Sequence, residues 1–163
     1  MNNNFMSEGN MLRQKNKAFY AISILILILD QITKWIVSTN MYLGQALPEE
    51  GYLRLVYVLN TGSAFGLFQG FTDILIIFSF VGIALVLYLF LRSEGQSDFY
   101  KLGLAMIFSG AVGNLIDRII NGAVVDFISV GWWPVFNIAD SSISVGMVVL
   151  GFSILFPNKK SST

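Results

Sequence analysis

Three aspartates, Asp117, Asp126 and Asp140, stand between long uncharged runs in residues 110–144, GAVGNLIDRIINGAVVDFISVGWWPVFNIADSSIS. An ionised carboxylate beside hydrocarbon is costly, so an acid in such a setting faces a protein interior or a wet cavity and is a candidate for function. The chain has no histidine and no cysteine, which excludes imidazole bases, thiol nucleophiles, disulfides and the usual Cys/His zinc sites. Any chemistry falls to Asp, Glu, Lys, Arg, Ser, Thr, Tyr or backbone groups.

Fourteen residues separate Asp126 from Asp140, enough for the chain to turn out and back so that the two carboxyls can meet. Two carboxylates that face one another cannot both ionise cheaply, and the pair shares one proton near neutral pH. One member can then take a proton from water while the other gives one to a carbonyl oxygen or a departing amine, as peptide hydrolysis requires. Asp140 also reads as a plain cap or first-turn acid of a helix. Asn137, Asp140, Ser141 and Ser144 share that helix's polar face, so Asn137 or a serine is a candidate to bind substrate or orient a carboxylate. Other readings stay open from the residues alone. Ser141 or Ser142 could act with Lys34 as base, or Asp117, Asp126 and Asp140 could hold a divalent ion, though their spacings match no recognised oxygen-ligand loop. From a different class, the acids could serve a small ion or proton transporter, but they gather at one end of the spans and trace no continuous relay.

The elements that carry these residues belong in a membrane. Of 163 residues 55% are hydrophobic and 12% charged, with no net charge, a balance unlike that of a soluble domain. Residues 74–91 are eighteen positions without a charge, about 27 Å as a helix against a hydrocarbon layer of about 30 Å. Similar spans are expected over 19–37, from 102 with an apolar run to 116, and over 138–156, stopping at Pro157. Arg13, Lys15 and Lys17 precede the first span in the manner of a signal peptide, but no small-residue cleavage site follows and Asp30 and Lys34 continue the helical pattern.

Asp30, Thr33 and Lys34 lie on one face of the first span, either bracing it against its neighbours or touching substrate. Asn114, Asp117, Arg118 and Asn121 share a face of the third, with Gly110 one turn earlier. Residues 53–59, LRLVYVL, suit strands, and NTGSAFG at 60–66 supplies turn residues. A sheet edge cannot lie unsatisfied in hydrocarbon, so a small, partly open sheet is expected at the bilayer surface. Residues 124–133 read as a short connection whose Trp132 and Trp133 are interfacial anchors.

Seven of the ten bases fall on one side if both termini and the 92–101 loop share it, which by the positive-inside rule is the cytoplasm. Asp30, Asn60, Asp117, Asp126 and Asp140 then all lie near the outer surface. The expected fold is four transmembrane helices with a small extracytoplasmic β-sheet cradle. Its divisions are a cytoplasmic tail at 1–17, a single catalytic membrane domain at 18–157, and a second tail at 158–163. Within the domain lie a β-rich insertion at 38–73 and an extracytoplasmic loop at 119–137.

Five boxes in order, DQITK at 30–34, NTGSAFG at 60–66, GAVGNLIDR at 110–118, VVDF at 124–127 and FNIAD at 136–140, resemble those of the bacterial lipoprotein signal peptidases, the type II signal peptidases. The resemblance covers roughly residues 19–157. It implies an aspartyl endopeptidase of the inner or plasma membrane that removes the signal peptide from prolipoproteins next to a diacylglyceryl-modified cysteine. It implies Asp126 and Asp140 as the catalytic pair and Asp117 as a supporting residue. Asn60, Asn114, Arg118 and Asn137 would line or brace the substrate groove, with Gly62, Asp30 and Lys34 also among the binding or supporting residues. A short flexible extracytoplasmic element would cover the substrate. The expected partners are lipid-modified prolipoproteins and membrane lipids, not nucleic acid, with the monomer as the working unit. No metal or organic cofactor is needed.

Overall fold

The computed structural model describes residues 2–62 and 70–156, with side chains from Lys17 onward. The expected turn at 63–66, the substrate-covering element where it falls on 63–69, and the tail at 158–163 lie outside the described residues. The elements run α1 (Asn2–Asn40), β1 (Ala46–Leu47), β2 (Leu53–Asn60), α2 (Thr72–Leu91), α3 (Asp98–Asn121), β3 (Val124–Val130) and α4 (Ile138–Leu155). Four stretches, Lys17–Asn40, Thr72–Leu91, Asp98–Asn121 and Ile138–Leu155, are helical, long and apolar enough to cross a membrane. Each expected span is therefore present, the first and third extended beyond their apolar stretches by polar turns that protein contacts satisfy.

α3 is the most enclosed of the four, and α1, α2 and α4 all pack on it. The Ser97 hydroxyl opens α3 by accepting from the Tyr100 amide at 3.2 Å, and Gly122 ends it in the left-handed conformation, φ +70°. Glycines let α3 and α4 approach at backbone distance: a Cβ at Gly103 would stand 2.8 Å from the Leu150 nitrogen, and one at Gly110 would strike the Ala139 carbonyl. Phe19 of α1 stacks on Phe90 of α2, with centroids 3.7 Å apart, while Ile24, Phe78, Val81, Val148 and Phe152 are exposed. In water such a surface would drive aggregation; in lipid it is solvated.

The sheet is antiparallel in the order β1-β2-β3. Its third strand is the principal departure from expectation, because the stretch read as a short connection, 124–133, contains β3, and the expected loop at 119–137 also contains the last residues of α3. Residues Val124 to Phe127 are all buried, so no alternation of apolar and polar positions marks β3 in the sequence. Its pairing with β2 sets Val58 opposite Asp126 and Asn60 opposite Val124, beyond an irregularity between Leu55 and Val58. That register carries Asp126 to the end of the sheet where β2 reaches Asn60.

The fit between α1 and α3 is tight at one glycine. A Cβ on Gly113 would lie 2.6 Å from Asp30 Oδ2, which is held by an ion pair and cannot swing away. Gly113→Ala is expected to cost about 1–3 kcal/mol by overpacking, read as a lowered thermal midpoint of the detergent-solubilised protein. An unchanged midpoint would mean that α1 shifts freely on α3.

Candidate active site

Asp126 and Asp140 open onto the same cavity, about 1030 Å³ in volume, enclosed by α2, α3, α4 and the end of the sheet. They reach it from unlike elements, Asp126 from the third residue of β3 and Asp140 from the first turn of α4. One residue joins them. Asn137 caps α4: its Oδ1 accepts from the Asp140 amide at 2.8 Å, and its own amide donates to Asp140 Oδ2 at 3.3 Å. Its Nδ2 lies 2.7 Å from Asp126 Oδ1, where it donates, and it is 0% exposed. Asp140 is thus the first-turn acid of α4, completing the capping box that Asn137 opens, and it also faces the cavity.

Each carboxylate receives a second amide. Asn60 Nδ2 donates to Asp126 Oδ2 at 3.0 Å, and Asn60 Oδ1 accepts from the Gly62 amide at 2.9 Å, which fixes the orientation of the Asn60 side chain. Arg118 Nη2 donates to the Gly62 carbonyl at 3.2 Å, completing a chain from α3 through the end of β2 to Asp126. On the other side Asn114 Nδ2 donates to Asp140 Oδ1 at 2.7 Å. Asn60, Asn114 and Arg118 line the cavity together with both aspartates.

Beneath the cavity lies a buried ion cluster. Lys34 Nζ stands 2.8 Å from Asp30 Oδ2 and 3.0 Å from Asp117 Oδ2, and it donates to Asn114 Oδ1 at 3.0 Å. Asp30 Oδ1 accepts from the Ala139 amide at 2.8 Å, and Asp117 Oδ2 from the Val125 amide at 3.1 Å. Asp30 and Lys34 are 0% and 3% exposed, and they tie α1 to α3 and to the first turn of α4. Two other readings called for different neighbours. Lys34 is held by Asp30, Asp117 and Asn114, while the Ser141 hydroxyl donates to the Asn137 carbonyl and that of Ser142 to the Ala139 and Met106 carbonyls, so no serine–lysine pair forms. Among the described residues no three acids assemble as a metal-ligand group, and Asp117 is turned to Lys34, Gln31 and Val125.

Gln31 is a supporting residue that the sequence did not disclose. Its Nε2 lies within 3.3 Å of Asp30 Oδ2, Asp117 Oδ1 and the Gly113 carbonyl. It lies outside the i, i+3, i+4 pattern of Asp30, Thr33 and Lys34, so only the approach of α3 reveals its role.

Burial, reinforced by the charge of Asp140, pushes the Asp126 carboxyl up to about 7, against the opposing pull of the Asn60 and Asn137 hydrogen bonds and of Lys34. Asp126 therefore holds its proton below about 7 and releases it above. An acid–base pair built on it needs that proton, so hydrolysis by membranes is expected to fall about tenfold per pH unit on the alkaline side. A profile flat from pH 6 to 9 would remove Asp126 from the role of acid.

The model of the family described as Signal peptidase (SPase) II matches residues 22–156, most of the chain and all of the site. The chain belongs to the signal peptidase II family. It is similar to the lipoprotein signal peptidase of Desulforapulum autotrophicum, 40% identical over 145 residues, 83% of this chain and 90% of that one. The lipoprotein signal peptidase of Fusobacterium nucleatum is also 40% identical, over 141 residues, 84% of this chain and 86% of that one. A solved bacterial membrane enzyme superposes with a TM-score of 0.79 at 31% identity, covering 90% of this chain and 94% of its own. A second superposes with a TM-score of 0.76 at 30% identity, covering 86% and 94%. Membership in the signal peptidase II family makes the protein a multi-pass membrane aspartyl endopeptidase.

Proposed function

We infer that this signal peptidase II hydrolyses the bond that joins a signal peptide to the diacylglyceryl-modified cysteine of a prolipoprotein, using Asp126 and Asp140 on one water. Family membership supports removal of signal peptides from prolipoproteins, and the residue roles are our reading of the geometry. The observation that carries them is the bridging of the two carboxylates by Asn137 at the wall of a cavity set among membrane helices. Asp140 takes a proton from the attacking water, and Asp126 gives its proton to the carbonyl oxygen. The tetrahedral intermediate then collapses with proton transfer to the departing amine. Asn60, Asn114 and Asn137 hold the carboxylates, Arg118 and Gly62 form the groove wall, and Asp30, Lys34 and Asp117 brace the helices beneath. The dyad chemistry calls for neither a metal nor an organic cofactor.

Such a substrate fits a site at the lipid boundary. Its acyl chains and signal helix favour hydrocarbon while the scissile bond must meet water, and the ends of the spans satisfy both. The distribution of Lys and Arg supports cytoplasmic termini and a site facing the extracytoplasmic side. Residues 18–157 form the catalytic domain and the monomer is the working unit, since both carboxylates and all their amide partners come from one chain.

The test is cleavage by purified protein in lipid of two precursors that differ only in the diacylglyceryl group. Release of signal peptide from the lipidated form alone is expected. Equal cleavage of both would remove the lipid from substrate recognition, and ion flux without cleavage would favour the transporter.

A further inference from the structure

Among the described residues Arg118 is the cation in the cavity lining, set there with Asp126 and Asp140. A guanidinium beside carboxylates ordinarily pairs with one of them, since its five N–H donors and fixed charge match two acceptor oxygens. Here the carboxylates are held otherwise. Asp126 and Asp140 receive amides of Asn60, Asn114 and Asn137, and Arg118 forms no ion pair among the described residues. Its hydrogen bond among them runs from Nη2 to the Gly62 carbonyl, and its Nε is buried with no partner. A buried donor without an acceptor is costly, and a ligand that brings an acceptor recovers that cost.

The separation leaves the chemistry of the dyad intact. An ion pair between Arg118 and either aspartate would favour the ionised carboxylate and remove the proton that the two share. Arg118 instead feels the charges of Asp140, Asp126 and Asp117 while most of its donors stay unspent.

Hydrolysis supplies a charge that the substrate lacks. The oxygen of water bonds to the carbonyl carbon, the C–N bond breaks with its electron pair going to nitrogen, and both protons of the water end on that nitrogen. The neutral amide thus becomes an ammonium group and a carboxylate, the latter at the new end of the signal peptide. The dyad returns to one proton and one negative charge, so this carboxylate forms beside a like charge. In a cavity whose wall includes Val58, Ile143 and Val145, that repulsion is far stronger than in water. Amides do not offset it: the Asp126 carboxyl, held by Asn60 and Asn137, is still pushed up to about 7.

We propose that Arg118 binds the carboxylate that cleavage creates at the end of the signal peptide, and so recognises a charge carried by the product and not by the substrate. This rests on the function proposed above. The released signal peptide, rather than the lipidated protein, is then the product that competes with fresh substrate.

The experiment uses two synthetic signal peptides that end at the cleaved bond, one with a free carboxylate and one with a carboxamide. Their dissociation constants are measured on purified protein in lipid near neutral pH. Wild-type protein is expected to bind the carboxylate about tenfold more tightly, the low end for a charge-assisted hydrogen bond. Arg118→Gln should bring the ratio near one by weakening the carboxylate alone, and Arg118→Lys should keep part of the preference. Because Arg118 also holds Gly62, both variants lose activity for other reasons, but a ratio between peptides of equal shape is insensitive to that. Equal binding of the two peptides to wild type, or a preference that survives in Arg118→Gln, would overturn the assignment.

Should Arg118→Gln fail to fold, wild-type protein decides. A free C-terminal carboxyl titrates at about 3.5; bound, it would face Asp126, Asp140 and Arg118, with Lys34 beneath. A carbon-13 label in that carboxyl is expected to report the ionised form at about pH 6. A protonated carboxyl there would show the dyad acting on it without Arg118, and would also overturn the assignment. Failure of wild-type protein to cleave the lipidated precursor would instead count against the proposed function itself.

Discussion

Asp126→Asn protein, present in membranes at wild-type abundance, is expected to release signal peptide at no more than about one hundredth of the wild-type rate, the low end of the 10²–10⁴-fold supplied by positioned acid–base groups. The substitution removes the proton that Asp126 holds up to about 7 and misplaces what remains. Both Asp126 oxygens face amide donors, Asn60 Nδ2 at 3.0 Å and Asn137 Nδ2 at 2.7 Å. An asparagine amide can accept only one of these and must turn its own NH2 toward the other. Asp140→Asn meets the same conflict, between the Asn114 side chain and the Asn137 main chain, and is expected to lose as much. Asp117→Asn should retain more activity than either, because its carboxylate is turned to Lys34, Gln31 and Val125 and does not line the cavity. Near-wild-type cleavage by either dyad variant, measured on lipidated precursor in membranes, would end the assignment.

Lys34→Met is expected to carry the largest stability loss of any single change, about 3–5 kcal/mol, because it strips the cation from a buried cluster and leaves its partners charged. Asp30 and Asp117 would then face one another without a counter-ion, at 0% and 4% exposure, on helices that pack together. The damage should also reach the dyad. Asn114 Oδ1 is held by Lys34 at 3.0 Å and Asn137 Nδ2 at 3.1 Å, and that hold points its Nδ2 at Asp140. The check is a denaturation midpoint in detergent together with kcat of the surviving folded protein. A midpoint within about 0.5 kcal/mol of wild type, the range of ordinary surface substitutions, would show that water or lipid headgroups solvate the cluster.

How much of this was legible beforehand differs by element. The four spans could be read from composition because hydrocarbon imposes one requirement on every residue of a helix that crosses it, so residues 74–91 needed no partner to be recognised. Strand β2 stood out by its β-branched and aromatic residues, whereas β3 did not. Buried at nearly every position, β3 has no exposed face to impose a period of two, and its strand character comes from the β2 edge beside it.

The site divides in the same way. Residue types alone excluded thiol, imidazole and Cys/His metal chemistry, and the spacing of polar residues on helix faces, with the order of the boxes, brought forward Asp126, Asp140 and most of their partners. Those are properties of each residue or of one helix turn, and they exist in the chain before it folds. Which acids meet could not be decided there. Asp117, Asp126 and Asp140 are chemically alike along the chain, and only the β2–β3 register, the capping of α4 by Asn137 and the insertion of Lys34 from α1 turn two of them to the cavity and the third to a lysine. Gln31 belongs to that second class, since the partners of a polar group are defined only once its neighbours are in place.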